Sequence, residues 1–154
     1  MKIRLLAVGR DRSGLFAPAA DEYLGRLARS LKVELVELPE AKKQAGTPRA
    51  KEEEGATILS RLKPGERLVA LDEHGAEPTS EELARKLAAW QARGQDLAFC
   101  IGGADGLAAE VLARAAEKLA LSRLTLPHRL ARVVLLEQLY RASTILRGEP
   151  YHKQ

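Results

Sequence analysis

The sequence predicts one α/β domain over residues 1–154, a mostly parallel sheet with helices on both faces. Three observations predict it. The length of 154 residues is that of one domain, and a chain of this size can bury about two thirds of its unfolded surface without covalent staples. Five β-like apolar runs alternate strictly with five helix-like runs, the pattern of parallel strands joined by crossover helices. No internal repeat or low-complexity segment interrupts that alternation.

The elements follow in order. Residues 3–8 read as a strand and residues 13–28 as a helix, with Leu15, Ala19, Tyr23 and Leu27 at four-residue spacing. Residues 33–38 form a second strand. A turn-prone stretch, 44–48, precedes a helix over 49–62 with acids in its first turns and Ile58, Leu59 and Leu62 on one face, stopped by Pro64-Gly65. Residues 67–72 are the third strand, and a turn over 73–78 leads to Thr79-Ser80-Glu81-Glu82, a capping box for a helix bearing Leu83, Leu87 and Trp90 and closed by Gly94. Trp90 lies on the apolar stripe and is assigned to the core. A fourth strand (96–101), a glycine turn (102–106), a helix (107–119) with Val111, Leu112, Ala115 and Leu119 inward, and a fifth strand (121–126) come next. The final helix, 128–147, is apolar on more than one face, through Leu130, Val133, Val134, Leu135, Leu136, Leu139, Ile145 and Leu146. One core cannot absorb them all, so a two-fold homodimer is expected.

The charge is modest and uneven. Of the formal +4, residues 128–154 carry +3, from Arg129, Arg132, Arg141, Arg147 and Lys153 against Glu137 and Glu149. With a pI near 9.4 this hints at a polyanionic partner. The single cysteine, Cys100, sits in an apolar run, which excludes an internal disulfide and fits a buried thiol in a reducing cytoplasm. The first ten residues lack the apolar length and cleavage site of a signal peptide, and no apolar run approaches membrane-spanning length; a protein without a membrane association is expected. The three histidines and one cysteine lack zinc spacing, so no metal is expected.

In an open parallel sheet, ligands bind beyond the carboxyl ends of the strands. Three of those ends carry unusual residues here: Leu71-Asp72-Glu73-His74-Gly75, Ile101-Gly102-Gly103-Ala104-Asp105-Gly106, and the stretch from Leu121 to His128. The glycine turn lets backbone approach a ligand closely, yet its spacing is neither the dinucleotide fingerprint nor a P-loop. Asp72 suits a ribose hydroxyl or a turn cap equally. His74 reads as a solvated loop residue, and His128 as an N-cap, a packed ring or a catalytic group. Arg141, one turn beyond Glu137, reads first as an exposed ion pair. Tyr151, His152 and Lys153, packed just after the helix stop at Gly148, read as part of a site, since side chains useful only as solvent are unexpected there.

Leu71-Asp72-x-x-Gly75, Phe99-x-Ile101-Gly102-Gly103-Ala104-Asp105-Gly106-Leu107, Leu121-Ser122-x-Leu124-Thr125-Leu126-Pro127-His128, and Glu137-Gln138-Leu139-Tyr140-Arg141-Ala142 with Pro150-Tyr151-His152-Lys153 closely resemble the RlmH family of SPOUT methyltransferases. The similarity runs essentially end to end. It implies a SPOUT-type fold with a C-terminal trefoil knot, which sequence rules would not suggest. It implies a homodimer that uses S-adenosyl-L-methionine to methylate N3 of a pseudouridine, pseudouridine-1915 of 23S rRNA, in the large ribosomal subunit. Cofactor contacts are implied at Leu71, Gly102 and Leu121, Ser122, Arg123, Leu124, Thr125 and Leu126. Arg141, Tyr151 and His152 match the substrate-side residues implied to be catalytic, with Arg129, Arg132 and Lys153 expected on RNA phosphates. Competing functions are a non-enzymatic ribosome- or RNA-binding factor, which has no use for three specialised strand ends, and a nucleotide-binding oxidoreductase, which lacks its fingerprint.

Overall fold

The computed structural model describes residues 1–41 and 47–153. In chain order it contains β1 (Lys2–Val8), α1 (Ala17–Leu27), β2 (Lys32–Leu38), α2 (Pro48–Ser60), β3 (Arg67–Ala76), α3 (Ser80–Arg93), β4 (Leu97–Ile101), α4 (Ala109–Arg114), β5 (Glu117–Leu119) and α5 (His128–Leu146). The strands form one sheet of order β2-β1-β4-β3-β5, and every neighbouring pair is parallel. This is the α/β architecture expected.

Side-chain alternation along the inner strands assigns the two faces. Ile3, Leu5, Leu97, Phe99 and Val69 point to one side, where they bury Leu27 of α1, Leu87 and Trp90 of α3, and Leu135, Leu136 and Leu139 of α5. Leu6, Val8, Ala98, Cys100, Leu68 and Ala70 point to the other, against Ile58 of α2 and Val111 of α4. Trp90 is a core residue, its ring edge-on to Phe99 at 5.8 Å. The capping box of α3 forms as the sequence predicts: Thr79 Oγ1 accepts from the Glu82 N–H at 3.1 Å, and Glu82 accepts from the Thr79 N–H at 2.7 Å.

Four boundaries differ from expectation. Helix α1 begins at Ala17, not residue 13, because the Asp11 carboxylate accepts from the Phe16 and Ala17 N–H groups and fixes the helix start there. In α2 the N-cap is Thr47, followed by Pro48, and the glutamates lie beyond the first turn; the expected turn at 44–48 falls partly outside the described residues. Strand β3 continues to Ala76 through the expected turn: Leu71 and Ala76 both pair with Leu119, so residues 72–75 bulge outward between them. Most consequential, α4 stops at Arg114 and the fifth strand is Glu117–Leu119, not 121–126. After the extended Ala115, the Ala116 N–H donates to the Leu68 carbonyl at 2.8 Å, so the chain exchanges helical bonding for the free edge of β3. That edge is then taken, and residues 121–126 are left as a loop.

Helix α5 matches the expected span and buries Leu135, Leu136 and Leu139, while Leu130, Val133 and Val134 are half-buried and Leu146 is exposed. Among the described residues no helix is long and apolar enough to cross a membrane.

Candidate functional site

A cavity of about 830 Å³ opens where the carboxyl ends of β3 and β4 meet the loop that follows β5. Each wall has a local cause. The first is the β3 bulge: Leu71, Asp72, Glu73 and His74 line the cavity, and Gly75 returns the chain so close to β5 that an added Cβ would stand 2.7 Å from the Lys118 carbonyl oxygen. The second is the glycine turn after β4. A Cβ at Gly102 would collide with the Gly106 carbonyl, and the Gly106 N–H closes the turn on the Gly103 carbonyl at 3.1 Å. Only glycine lets the turn fold this tightly. The third wall is the loop of 121–126, held by the Ser122 hydroxyl accepting from the Leu124 N–H at 2.9 Å.

Of the residues implied to contact a cofactor, Leu71, Gly102, Leu121, Ser122, Leu124, Thr125 and Leu126 line this cavity. Arg123 does not; it is exposed and outside the lining. The sequence reasoning missed Lys51, which reaches the cavity from α2, and Ala131, which lines it from α5. Lys51 stands seven residues before Ile58, on the buried side of α2, and helical spacing gave no sign that this end of the stripe meets a strand end. His128 also lines the cavity; it is the first residue of α5 and Pro127 holds the N-cap position, so the N-cap reading fails. Burial, then the charges of Arg129 and Arg132, push its imidazole pKa below the ordinary value and keep it neutral near pH 7. His74 is solvated, as expected, beside Glu73 at 3.3 Å.

Arg141, Tyr151 and His152 meet elsewhere, on the outer end of α5 against the first turn of α3. The Arg141 guanidinium donates to Glu137 Oε1 at 2.6 Å and lies 4.7 Å from the centre of the Tyr151 ring. The Tyr151 hydroxyl donates to the same carboxylate oxygen at 3.0 Å. His152 has Nδ1 3.2 Å from Arg141 Nη1 and Nε2 2.9 Å from Glu81 Oε1. A guanidinium can only donate, so Nδ1 accepts and Nε2 carries the hydrogen that Glu81 receives. The Arg141–Glu137 pair is therefore part of a half-buried network and not the exposed ion pair the spacing suggested. Burial, with Tyr23 and Glu137 nearby, pushes the Tyr151 phenol well above its ordinary value, so it remains a neutral donor.

None of these tail residues lines the cavity. Arg141 is thirteen residues along α5 from His128, roughly 20 Å at a helical rise of about 1.5 Å per residue. The two clusters occupy opposite ends of one helix.

The basic residues divide as well. Arg132 is buried at 3 % exposure, donating to the carbonyls of Val8 and Gly9 at 2.9 and 2.6 Å and to Glu37 at 2.9 Å. Its guanidinium is used inside the fold and does not face a phosphate, contrary to expectation. Arg129 donates to the Arg10 carbonyl and to Glu40. Lys153 is exposed. Among the described residues no group of three or more His, Cys, Asp or Glu side chains is placed to hold a metal ion.

Comparison with known proteins adds the following. Residues 1–152 match the family described as "Predicted SPOUT methyltransferase". The sequence is 68 % identical over 153 residues to the ribosomal RNA large subunit methyltransferase H of Anaeromyxobacter dehalogenans (strain 2CP-C), covering 99 % of this chain and 100 % of that one. It is 48 % identical over 156 residues to the protein of the same name from Pelotomaculum thermopropionicum, covering 97 % and 98 %. Among solved structures, that of a probable methylase family protein from Haemophilus influenzae Rd KW20 superposes with a TM-score of 0.57 at 16 % identity, over 99 % of this chain and 70 % of that one. At that identity the likeness is one of fold.

Proposed function

Because the chain belongs to the SPOUT methyltransferases, in the ribosomal RNA large subunit methyltransferase H family, we propose that it methylates N3 of a pseudouridine in large-subunit rRNA, with S-adenosyl-L-methionine as donor. The observation that carries this reading is the Gly102 cradle, a turn that a single Cβ would obstruct, facing a leucine-rich loop across a cavity of about 830 Å³. Leu71, Gly102, Leu121, Leu124 and Leu126 supply apolar walls, and Ser122, Thr125 and the neutral His128 supply polar contacts at the same surface. That mixture fits a sulfonium donor with an adenosyl group. When bound, the donor supplies an electrophilic methyl carbon whose bond to sulfur breaks as the bond to N3 forms. The protein's work is to align the reacting atoms, exclude water and favour the deprotonated base.

The tail supplies the last of these. Arg141 brings a permanent positive charge for the anionic base or an adjoining phosphate. His152 holds a lone pair on Nδ1 that Arg141 covers in this geometry. Movement of Arg141 toward RNA frees that lone pair for the N3 proton. Tyr151, kept protonated, orients Glu137 and offers a ring for stacking. Since the tail and cavity of one chain stand roughly 20 Å apart along α5, a homodimer in which the tail of one protomer meets the cavity of the other completes the site. The same pairing would cover the half-buried Leu130, Val133 and Val134. The C-terminal trefoil threading and a cytoplasmic location belong to this reading too.

Calorimetric titration tests the cofactor: S-adenosyl-L-methionine binds and a nicotinamide dinucleotide does not. Binding of RNA with no binding of the methyl donor would favour the non-enzymatic RNA-binding factor. Methylation assays on free RNA, isolated subunits and assembled ribosomes identify the acceptor. Complementation tests the shared site: chains carrying Gly102→Val and chains carrying His152→Ala, each inactive alone, regain part of the activity when mixed and allowed to exchange subunits. No recovery despite proven exchange argues against a composite site.

A further inference from the structure

The arginines at the head of α5 turn inward, and what they hold is a loop. Arg132 donates to the carbonyls of Val8 and Gly9, and Arg129 to that of Arg10 at 2.8 Å, so three successive carbonyls leaving β1 are gripped by the helix whose first turn lines the cavity. From the other side, the Asp11 carboxylate accepts from the Ser13 hydroxyl at 2.6 Å and from the Phe16 and Ala17 N–H groups at 2.8 and 2.7 Å. The Asp11 N–H in turn donates to Glu37 at 3.1 Å. A surface segment with so many internal bonds has a fixed shape.

The side chains left outside this frame are Arg10, Arg12 and Leu15. Both arginines are exposed, and their guanidiniums have no hydrogen bond or ion pair among the described residues; Leu15 is 73 % exposed. The nearby acids are already matched, Glu37 by Arg132 at 2.9 Å and Glu40 by Arg129 at 3.2 Å. Arg10 and Arg12 therefore outweigh Asp11, whose carboxylate faces the start of α1. The loop also stands beside the cavity: β1 runs next to β4, and a Cβ at Gly103 would lie 3.5 Å from Val8 Cγ1.

We propose that the loop at residues 9–16 is a docking surface for ribosomal RNA, with Arg10 and Arg12 taking backbone phosphates beside the cavity mouth and Leu15 meeting a ribose or base face. The proposal rests on the reading of the protein as an rRNA methyltransferase and deepens it. Arg129 and Arg132 then serve RNA binding through the loop they shape.

The test titrates the full-length protein with isolated large ribosomal subunits at several salt concentrations, comparing wild type with R10Q/R12Q. Two lost phosphate contacts predict an affinity lower by about tenfold and a slope of log K against log salt smaller by about one to two. Affinity for S-adenosyl-L-methionine and the sedimentation coefficient remain those of the wild type, and R10K/R12K retains the RNA affinity. Unchanged affinity and slope in R10Q/R12Q overturn the proposal, as does a changed oligomeric state, which would assign the surface to a second copy of the chain. Failure of the underlying function reads out separately, as a wild type that binds no methyl donor and methylates no rRNA. The subunit titration still decides the loop in that case.

Discussion

His152 Nε2 lies 2.9 Å from Glu81 Oε1, a bond that ties the segment after α5 to the first turn of α3 across seventy-one positions of sequence. With Arg141 donating to Nδ1, both ring nitrogens are engaged and the hydrogen facing Glu81 sits on Nε2.

The hydrogen bond from His152 is the chief cause that lowers the Glu81 pKa. A carboxyl whose folded value lies below its unfolded one contributes stability above the unfolded value and loses it as pH falls through the folded value. Backbone order of residues 151–153, read as NMR order parameters, should therefore be high at neutral pH and fall in acid, below the ordinary carboxylate range. Glu81→Gln should abolish that acid step. An unaltered pH profile in the variant would show that Glu81 does not hold the tail.

Arg132 should be a stability residue. Arg132→Met removes the guanidinium donors from the buried carbonyls of Val8 and Gly9 and leaves the Glu37 carboxylate only the Asp11 N–H, which costs about 2–4 kcal/mol. Arg132→Lys should recover only part of this, because one ammonium cannot reproduce the fork. Urea unfolding measures both, and a loss within about 0.5 kcal/mol, the range of ordinary surface changes, would refute the assignment.

Gly102→Ala should damage donor binding more than folding. Its Cβ meets the backbone of Gly106, which cannot yield without opening the turn. Affinity for S-adenosyl-L-methionine should fall by at least about tenfold, equivalent to about 1.4 kcal/mol, with a far smaller change in the urea midpoint. Wild-type affinity in this variant would remove the turn from the donor site.

Cys100 should be inert in the native protein. Burial pushes its thiol pKa up to about 12, and the thiolate is the reactive form. A thiol reagent such as dithiobisnitrobenzoate should label it only at the rate of unfolding, and fully in denaturant. Rapid labelling of the native state would contradict its place in the core between Leu6 and Ala70.

The alternation of strands and helices, the α3 capping box and Trp90 were legible in the sequence, because each follows from local periodicity or cap chemistry; the cavity residues Leu71, Gly102 and Leu121 were legible through the resemblance of the blocks that hold them. What the sequence could not determine depends on competition for partners distant in the chain. Residues 107–119 have helical periodicity throughout, yet the open edge of β3 captures 117–119 and ends α4, since a sheet edge offers bonds that no local pattern reveals. Arg132 has the sequence character of an exposed basic residue, but the carbonyls leaving β1 draw it inside. Charge is a property of the residue, whereas what that charge faces is decided only when the elements pack.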